Sequence, residues 1–452
     1  VALLAVAGLL PVLNELTEKQ ITLTTLLDPR VMGGTVLFLA LTGLVAGLYP
    51  ALVLARFRPV ETLKGLQASS GGNAWLRKGL VVFQFSVSLV LIIGTLMVVR
   101  QLRYMQNQQL GFTKERVLVV KLREAPRREL IGQYESLRQE LSALPNVEAV
   151  TGAAAMPGRT GWGGQLVWVE GRPETETVTL EVITVDPDYA HTLGLKFRSG
   201  RDYDRRIPTD ASEGILLNEA ACKAFGWNPQ EAVGKKLRTA GMQNGRVLGV
   251  LADYHQHGLK EQIRPVLTFV APYAFNYLAI RLGAGDVQAS VARVEQFWRS
   301  RFPGYTFQYT FLDEDFNRQY QAEERLARIV GLFAALAVGI ACLGLFGLAA
   351  FTAQQRTKEI GVRKVLGASV TSIVLLLSKD FVVLVLVAIL LATPLAWYAV
   401  DQWLSSFAYK IDLAWWVFLL AGGLAVAVAL LTVSYQSIRA ALANPVKSLK
   451  ME

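Results

Sequence analysis

Five runs of twenty or more residues contain no charged side chain: Gly34–Ala55, Gly79–Val99, Ile329–Phe351, Phe381–Val400 and Ala414–Val433. A bilayer core about 30 Å thick needs roughly 20 apolar residues per helix, so each run reads as a membrane span. Residues 1–13 look like the second half of another span, a partial transmembrane helix, and the chain reads as a fragment whose start lies upstream. A signal peptide would need a basic segment ahead of its apolar core, and none stands there. Between the second and third runs the pattern changes. RVLVVKL (116–122) and VEAVTG (147–152) read as strands. Between them Leu130, Tyr134, Leu137, Leu141 and Leu144 recur at helical spacing up to Pro145. The far end repeats this order: NYLAIRL (276–282), a helix marked by Val287, Val291, Val294 and Trp298, then TFQYTFL (306–312). Shorter strands are expected at 165–171, 177–185, 213–218 and 246–251, with turns such as MPGRTGWGG (156–164) between. The expected fold is an α-helical membrane bundle plus a large α+β domain with two lobes at 101–328.

Composition adds a direction. The 452 residues are 52% hydrophobic, too apolar for an ordinary soluble domain, yet carry a net charge of +10. The excess sits in short segments beside the spans: Arg56, Arg58, Lys64, Arg77, Lys78; Arg356, Lys358, Arg363, Lys364; and Arg439, Lys447, Lys450. Against them stand only Glu61, Glu359 and Glu452. The alternate loops, 14–33 and 401–413, hold Lys19, Arg30 and Lys410. Lys/Arg-rich short loops stay in the cytoplasm. The basicity is therefore a topology signal, and no nucleic-acid surface is expected. The segments around 356–369 and the tail 434–452 are expected inside, and 101–328 outside. Cys222 lies in the polar region and Cys342 in a span, so no disulfide is expected. HQH at 255–257 supplies too few ligands for a metal and reads as a surface turn. Trp162, Trp168 and Trp227 are expected in the core.

RTKEIGVRKVLGAS (356–369) places five charges within nine residues between two spans. Glu359 and Arg363 form an i,i+4 pair in the favourable order. On a helical wheel Val362, Val365 and Leu366 share one face, expected to tuck under the bundle. Ile360, Arg363, Lys364 and Gly367 fall on the other, expected to face the cytoplasm. Periodicity alone leaves this segment either a partner-binding helix or an interfacial loop that anchors topology. There is also a repeat: GLYPALVLARFRPVETLKG (47–65) aligns without gaps on VSYQSIRAALANPVKSLKM (433–451), matching Tyr49 with Tyr435 and Pro59 with Pro445. A duplicated half would account for it.

RTKEIGVRKVLGAS closely resembles the cytoplasmic motif of the FtsX/MacB-like family of ABC transporter permeases. LRKGLVVFQFSVSLVLIIGT (76–95), LNEAACKAFGW (217–227), GVLADYHQHGL (249–259) and ANPVKSLK (443–450) resemble further signatures of it. The similarity covers essentially the whole chain, which looks like the C-terminal half of the long, duplicated form. The resemblance implies that 101–328 is a MacB-like periplasmic core domain. It implies that 356–369 is a coupling helix, with Glu359, Ile360, Gly361, Arg363, Lys364 and Gly367 against a cytoplasmic ABC-type ATPase working as a dimer. ATP and Mg would be bound by that partner, with no cofactor in this chain. The other implied partners are the upstream half of the permease, membrane lipid, and a periplasmic or outer-membrane protein. The implied function is mechanotransmission in the bacterial inner membrane, coupling ATP hydrolysis to movement of the outer domain. A signalling scaffold controlling a periplasmic partner such as a cell-wall hydrolase shares this architecture.

Other classes find less support. There is no GxxxxGK[ST], HExxH or GxSxG in the sequence, so no enzymatic activity of its own is expected. An ion-coupled carrier usually carries an ionisable residue in mid-span, and these spans are clean. Lys379 and Asp380 sit at a span's end, where snorkelling is expected. Asp313, Glu314 and Asp315 read as solvated acids in a turn.

Overall fold

The chain was analysed as a computed structural model, which describes residues 8, 10, 11, 14, 21, 22, 24, 28–55, 71–122, 132–159 and 163–442. Most of the half-span 1–13, the basic residues 56–64, Leu130, Trp162 and the tail from 443, with its part of the repeat, lie outside the described residues. The chain divides into two units: residues up to 100 with 323–402 and 412 onward, and residues 101–322 with 403–411.

The first unit is helical: α1 (Pro29–Ala55), most of α2 (Gly71–Asn107), and the helices that follow the second unit. Four helices among the described residues are long and apolar enough to cross a membrane: Trp75–Asn107 of α2, Gln321–Gln355, Val370–Leu404 and Trp415–Arg439. Thirty-five residues of α-helix extend about 50 Å, well past the roughly 30 Å of a hydrocarbon core. Small residues make the packed faces. Ala388, Ala392 and Ala396 of one helix and Ala421, Ala425 and Ala429 of the next are buried, while Leu390, Leu419 and Leu431 point outward. Small side chains let helix backbones approach where lipid supplies no hydrophobic drive. A Cβ on Gly422 would stand 3.4 Å from Ile389.

Among the described residues the second unit holds eleven strands in one sheet, and their order explains its two lobes. In chain order they are β1 (Val117–Lys121), β2 (Val147–Ala153), β3 (Gly163–Val169), β4 (Thr177–Val185), β5 (Phe197–Gly200), β6 (Gly214–Asn218), β7 (Lys236–Thr239), β8 (Met242–Leu251), β9 (Val266–Val270), β10 (Tyr277–Leu282) and β11 (Tyr309–Phe311). The helices that matter here are α3 (Tyr134–Ser142), α4 (Glu219–Phe225), α5 (Val287–Arg301) and α6 (Leu312–Arg318). The two strand–helix–strand pieces at the ends of the domain are far apart in sequence but share one sheet, in the order β11-β1-β10-β2. This is a split β-α-β arrangement. Val119 faces Ala279 and Ala279 faces Thr151 across antiparallel ladders. Leu137 and Leu141 of α3 and Val294 and Trp298 of α5 close the core beneath it.

The inserted strands form the other lobe. β4 pairs with β3 on one edge and with β9 on the other, and the path β4-β3-β7-β8-β6-β9 returns to β4. The ring is closed, which removes the exposed edges of an open sheet. One residue pair, Ala153 with Val185, joins the two lobes' ladders. α4 follows from its sequence: Asn218 Oδ1 accepts the Ala221 amide at 2.9 Å as N-cap, and Gly226, at φ 73°, ends the helix. The continuation of this unit into the membrane helices runs through α7 (Gln321–Gln355), α8 (Thr357–Val365), α9 (Val370–Leu404) and α10 (Trp415–Leu442).

Candidate functional site

The charged stretch forms α8 and ends in a sharp reversal. The Gly367 amide donates to Lys364 O at 3.1 Å and the Ala368 amide to Arg363 O at 3.0 Å. Gly367, at φ 88°, takes the left-handed position that such a Schellman turn requires. Ser369 then caps α9, its Oγ accepting the Ser372 amide at 3.2 Å. VLGAS thus writes a stop, a turn and a start in five residues.

The reversal corrects the expected faces. It brings the first turns of α9 back along α8, and Ile360, 6% exposed, packs on Ile373 and Leu377. Gly361 is buried beside it. Val362, Val365 and Leu366, expected beneath the bundle, are instead 48%, 66% and 80% exposed. The wheel's grouping does not hold either: Ile360 is buried with Gly361, whereas Arg363 and Gly367 are exposed together with Val362, Val365 and Leu366. Glu359 and Arg363 pair at 2.8 Å, both half-exposed. Lys364 is partly exposed, and Gly367 is exposed at the turn. Arg356 pairs with Asp380 at 3.0 Å, so Asp380 has a partner within the protein. Of the six residues expected to meet a partner, four reach the surface and Ile360 and Gly361 do not. The outward face combines Arg363 and Lys364 with three bare aliphatic side chains.

A second concentration of contacts lies in the other unit, on residues 253–260 between β8 and β9. Asp253 Oδ1 accepts the Ala220 amide at the start of α4 at 2.9 Å. The His255 amide donates to Leu110 O, and Gln256 O accepts from the Gly158 amide, both at 2.9 Å. His257 Nε2 lies 2.9 Å from both oxygens of the buried Glu181. Gly258, at φ 79°, packs against Gln319 and Tyr320, which link α6 to α7. The Leu259 amide donates to the Tyr320 hydroxyl at 3.1 Å. Finally, Leu259 O and Lys260 O accept the amides of Tyr409 and Ala408, at 3.2 and 3.0 Å. Those last two residues belong to the short connection between α9 and α10. The buried Gln101 holds the same connection: its Nε2 donates to Tyr409 O at 2.9 Å and its Oε1 accepts the Ile411 amide at 3.0 Å.

HQH is therefore no surface turn. His255 is 6% exposed, with its ring edge-on to Tyr409 at 4.7 Å. Burial pushes its pKa down. Among the described residues, no group of three or more His, Cys, Asp or Glu side chains could hold a metal. The acidic cluster after β11 also changes its reading. It forms the first turn of α6, and Asp315, 8% exposed, accepts from Arg159 Nε at 2.7 Å and from Thr310 Oγ1 at 2.8 Å. Arg159 also lies over the Tyr277 ring. Trp227 is buried as expected, stacked on Phe225, whereas Trp168 is only partly buried. The segment 253–260 was visible in the sequence only as a motif. Its role as a junction depends on pairings between residues up to 310 apart, which spacing does not encode.

Comparison with known proteins agrees with this architecture. Residues 331–445 match the family model described as FtsX-like permease C-terminal, and residues 81–297 match the MacB-like periplasmic core domain. The macrolide export ATP-binding/permease protein MacB of Bartonella quintana (strain Toulouse) is 22% identical over 243 residues, covering 52% of this chain and 35% of that protein. The chain thus spans about a third of that relative's length. Among solved structures, the periplasmic region of MacB from Actinobacillus actinomycetemcomitans aligns at 15% identity and a TM-score of 0.33, covering 46% of this chain and 94% of that one. The extracellular domain of the transporter YknZ from Gram-positive bacteria aligns at 14% and 0.30, covering 43% and 98%.

Proposed function

Because the chain belongs to the FtsX/MacB-like family of ABC transporter permeases, we propose that it is a membrane subunit that couples a cytoplasmic ATPase to movement of its outer domain. ATP and Mg would be bound by the partner. The observation that carries this reading is the docking of residues 408–411 onto 259, 260 and Gln101. It ties the α9–α10 connection to the outer domain and so to the same side of a bilayer. α8 is reached from that domain by one apolar helix, α7, and left by another, α9. An odd number of crossings puts α8 on the opposite side, where the crowding of lysine and arginine favours the cytoplasm.

α8 then presents Arg363 and Lys364 together with Val362, Val365 and Leu366 to that partner. Exposed aliphatic side chains beside cations fit a cleft that is apolar at its floor and acidic at its rim. Displacement of α8 would pass along α7 and α9 to the junction at 253–260, which is hydrogen-bonded to Tyr320, just before α7, and to residues 408 and 409 of the connection after α9. The site is the inner membrane of a bacterium, and the output is export of a substrate or control of a protein outside. The test is co-purification from native membranes. With both Arg363→Glu and Lys364→Glu, an ABC-type ATPase should be lost while membrane insertion is unchanged. Undiminished co-purification would reject the coupling role. The proteins recovered with the outer domain would distinguish export from signalling.

A further inference from the structure

The junction at 253–260 holds a titratable group where a mobile contact would need one. The α9–α10 connection is fastened by backbone hydrogen bonds from Ala408 and Tyr409, by the Gln101 bracket, and by the His255 ring lying edge-on to Tyr409. His255 Nδ1 is buried and has no hydrogen-bond partner among the described residues. Lys260 Nζ lies over the Phe407 ring at 5.5 Å. The elements packed on the ring offer a new positive charge nothing to pair with. Residues 101–112 contribute one charged side chain, Arg103, and residues 403–411 contribute one, Lys410, both cationic. On the histidine's own segment, Asp253 caps α4 and Glu261 pairs with Arg264 at 2.5 Å; Glu181, on β4, is shared by His257 and Arg264.

We propose that His255 makes this junction a pH-sensitive clamp: the neutral imidazole holds the α9–α10 connection to the outer domain, and its protonation releases it. A ring that is buried and lacks an acceptor for a second N–H disfavours the charged form. The depressed pKa has the sign this requires. The undocked ring takes up its proton near the ordinary histidine value of about 6.5, the docked ring only at lower pH. Docking is therefore undisturbed above about pH 7 and weakens as pH falls through that value toward the docked pKa. The clamp depends neither on an ATPase partner nor on which side of the membrane the domain occupies.

The test uses the whole chain in detergent and hydrogen exchange of residues 407–411, with protection factors referred to the intrinsic rate at each pH. Between pH 7.5 and 5.0 protection should fall about tenfold for each unit of pKa depression that is traversed. Residues 266–270 of β9 serve as the internal reference and should not change. His255→Phe or His255→Gln should keep its protection at pH 5.0, while His257→Gln should respond like the native chain. Constant protection in the native chain overturns the proposal. An equal fall in both His255 variants, or a response lost in His257→Gln, does so as well. If both His255 variants are already unprotected at pH 7.5, the native transition must coincide with the imidazole's own titration, followed by carbon-13 shift among only three histidines. A mismatch greater than about one pH unit then refutes it.

Discussion

Arg205 is the side chain whose removal tests how the two lobes of the outer domain are joined. Its Nη2 donates to both oxygens of Asp186, at 2.7 and 2.6 Å, its Nε to Asp188 at 3.0 Å, and its Nη1 to Glu135 at 2.8 Å. Asp186 and Asp188 follow β4, while Glu135 lies on α3 in the split β-α-β lobe. Among the described residues one ladder pair, Ala153 with Val185, joins the lobes there, and the guanidinium adds a side-chain tie across the seam beside that of Arg138 with Asp188 at 3.2 Å. The Asp186 side chain is 2% exposed and that of Arg205 30%. Removing one partner of a buried pair costs about 3–5 kcal/mol, because the other charge is left unpaired. Partial exposure of Arg205 admits water and lowers this to about 2–3 kcal/mol. For a unit of this size that corresponds to a fall in Tm of about 5–10 °C.

The pH dependence separates this cause from a general loosening. Burial already pushes the Asp186 carboxyl above its ordinary value, and Arg205 pulls it back. In Arg205→Ala the carboxyl rises further. The loss relative to the native chain is complete above that raised pKa and shrinks as pH falls through it, since a protonated carboxyl needs no counter-charge. Thermal unfolding of the chain in detergent, followed at pH 8 and pH 5, reads both quantities. The drop at pH 5 should be at most about half that at pH 8, and adding Asp186→Asn to Arg205→Ala should recover much of it. A shift below about 2 °C at pH 8, or one equal at both pH values, would refute the reasoning.

Two further substitutions test neighbouring parts. A Cβ on Gly258, at φ 79°, would push the Gln319 side chain aside and crowd the Tyr320 hydroxyl, 3.2 Å away, which accepts the Leu259 amide, whereas one on Gly226, at φ 73°, would meet nothing within 4 Å. Gly226→Ala should therefore cost only the backbone strain of about 1–2 kcal/mol, and Gly258→Val clearly more, read as a larger loss of Tm and of protection at the Leu259 amide. Burial raises Asp202 to about 6, with Asp188 and Asp186 adding repulsion. A carboxyl raised in the fold weakens the native state as pH climbs from about 4 through 6. Asp202→Asn keeps the acceptor for the Tyr203 amide, so it should raise Tm at pH 8 and leave it unchanged near pH 3.5.

The sequence carries the architecture wherever one element's pattern is sufficient. VLVVK, TVTLEVITV and the apolar spacing on α3 and α5 announce strands and helices without help, because alternation and the 3.6-residue period are local. What escaped was set by pairing at a distance. β5 and β7 are four residues each, with polar positions, and become strands because β8 lies beside both. Ring closure rests on β4 accepting β9 in parallel, across more than eighty residues of chain. The chemistry divides in the same way. Asp315 reads as a solvated acid until Arg159, 156 positions earlier, is folded against it.

α8 shows how a helical wheel can lead to the wrong orientation. A nine-residue helix has two distinguishable faces, and nothing within it says which is covered. That is decided by the exit: Gly367 in a left-handed position and Ser369 as a cap turn the chain through a tight reversal, so Ile360 meets Ile373 and Leu377. A helix running straight on into α9 would have left Ile360 bare and allowed Val365 and Leu366 to sink. The turn residues therefore carry functional information that the wheel does not. They hold the aliphatic face outward beside Arg363 and Lys364. Replacing Gly367 with a β-branched residue would change which side of α8 is exposed while leaving Val362, Arg363, Lys364, Val365 and Leu366 unaltered.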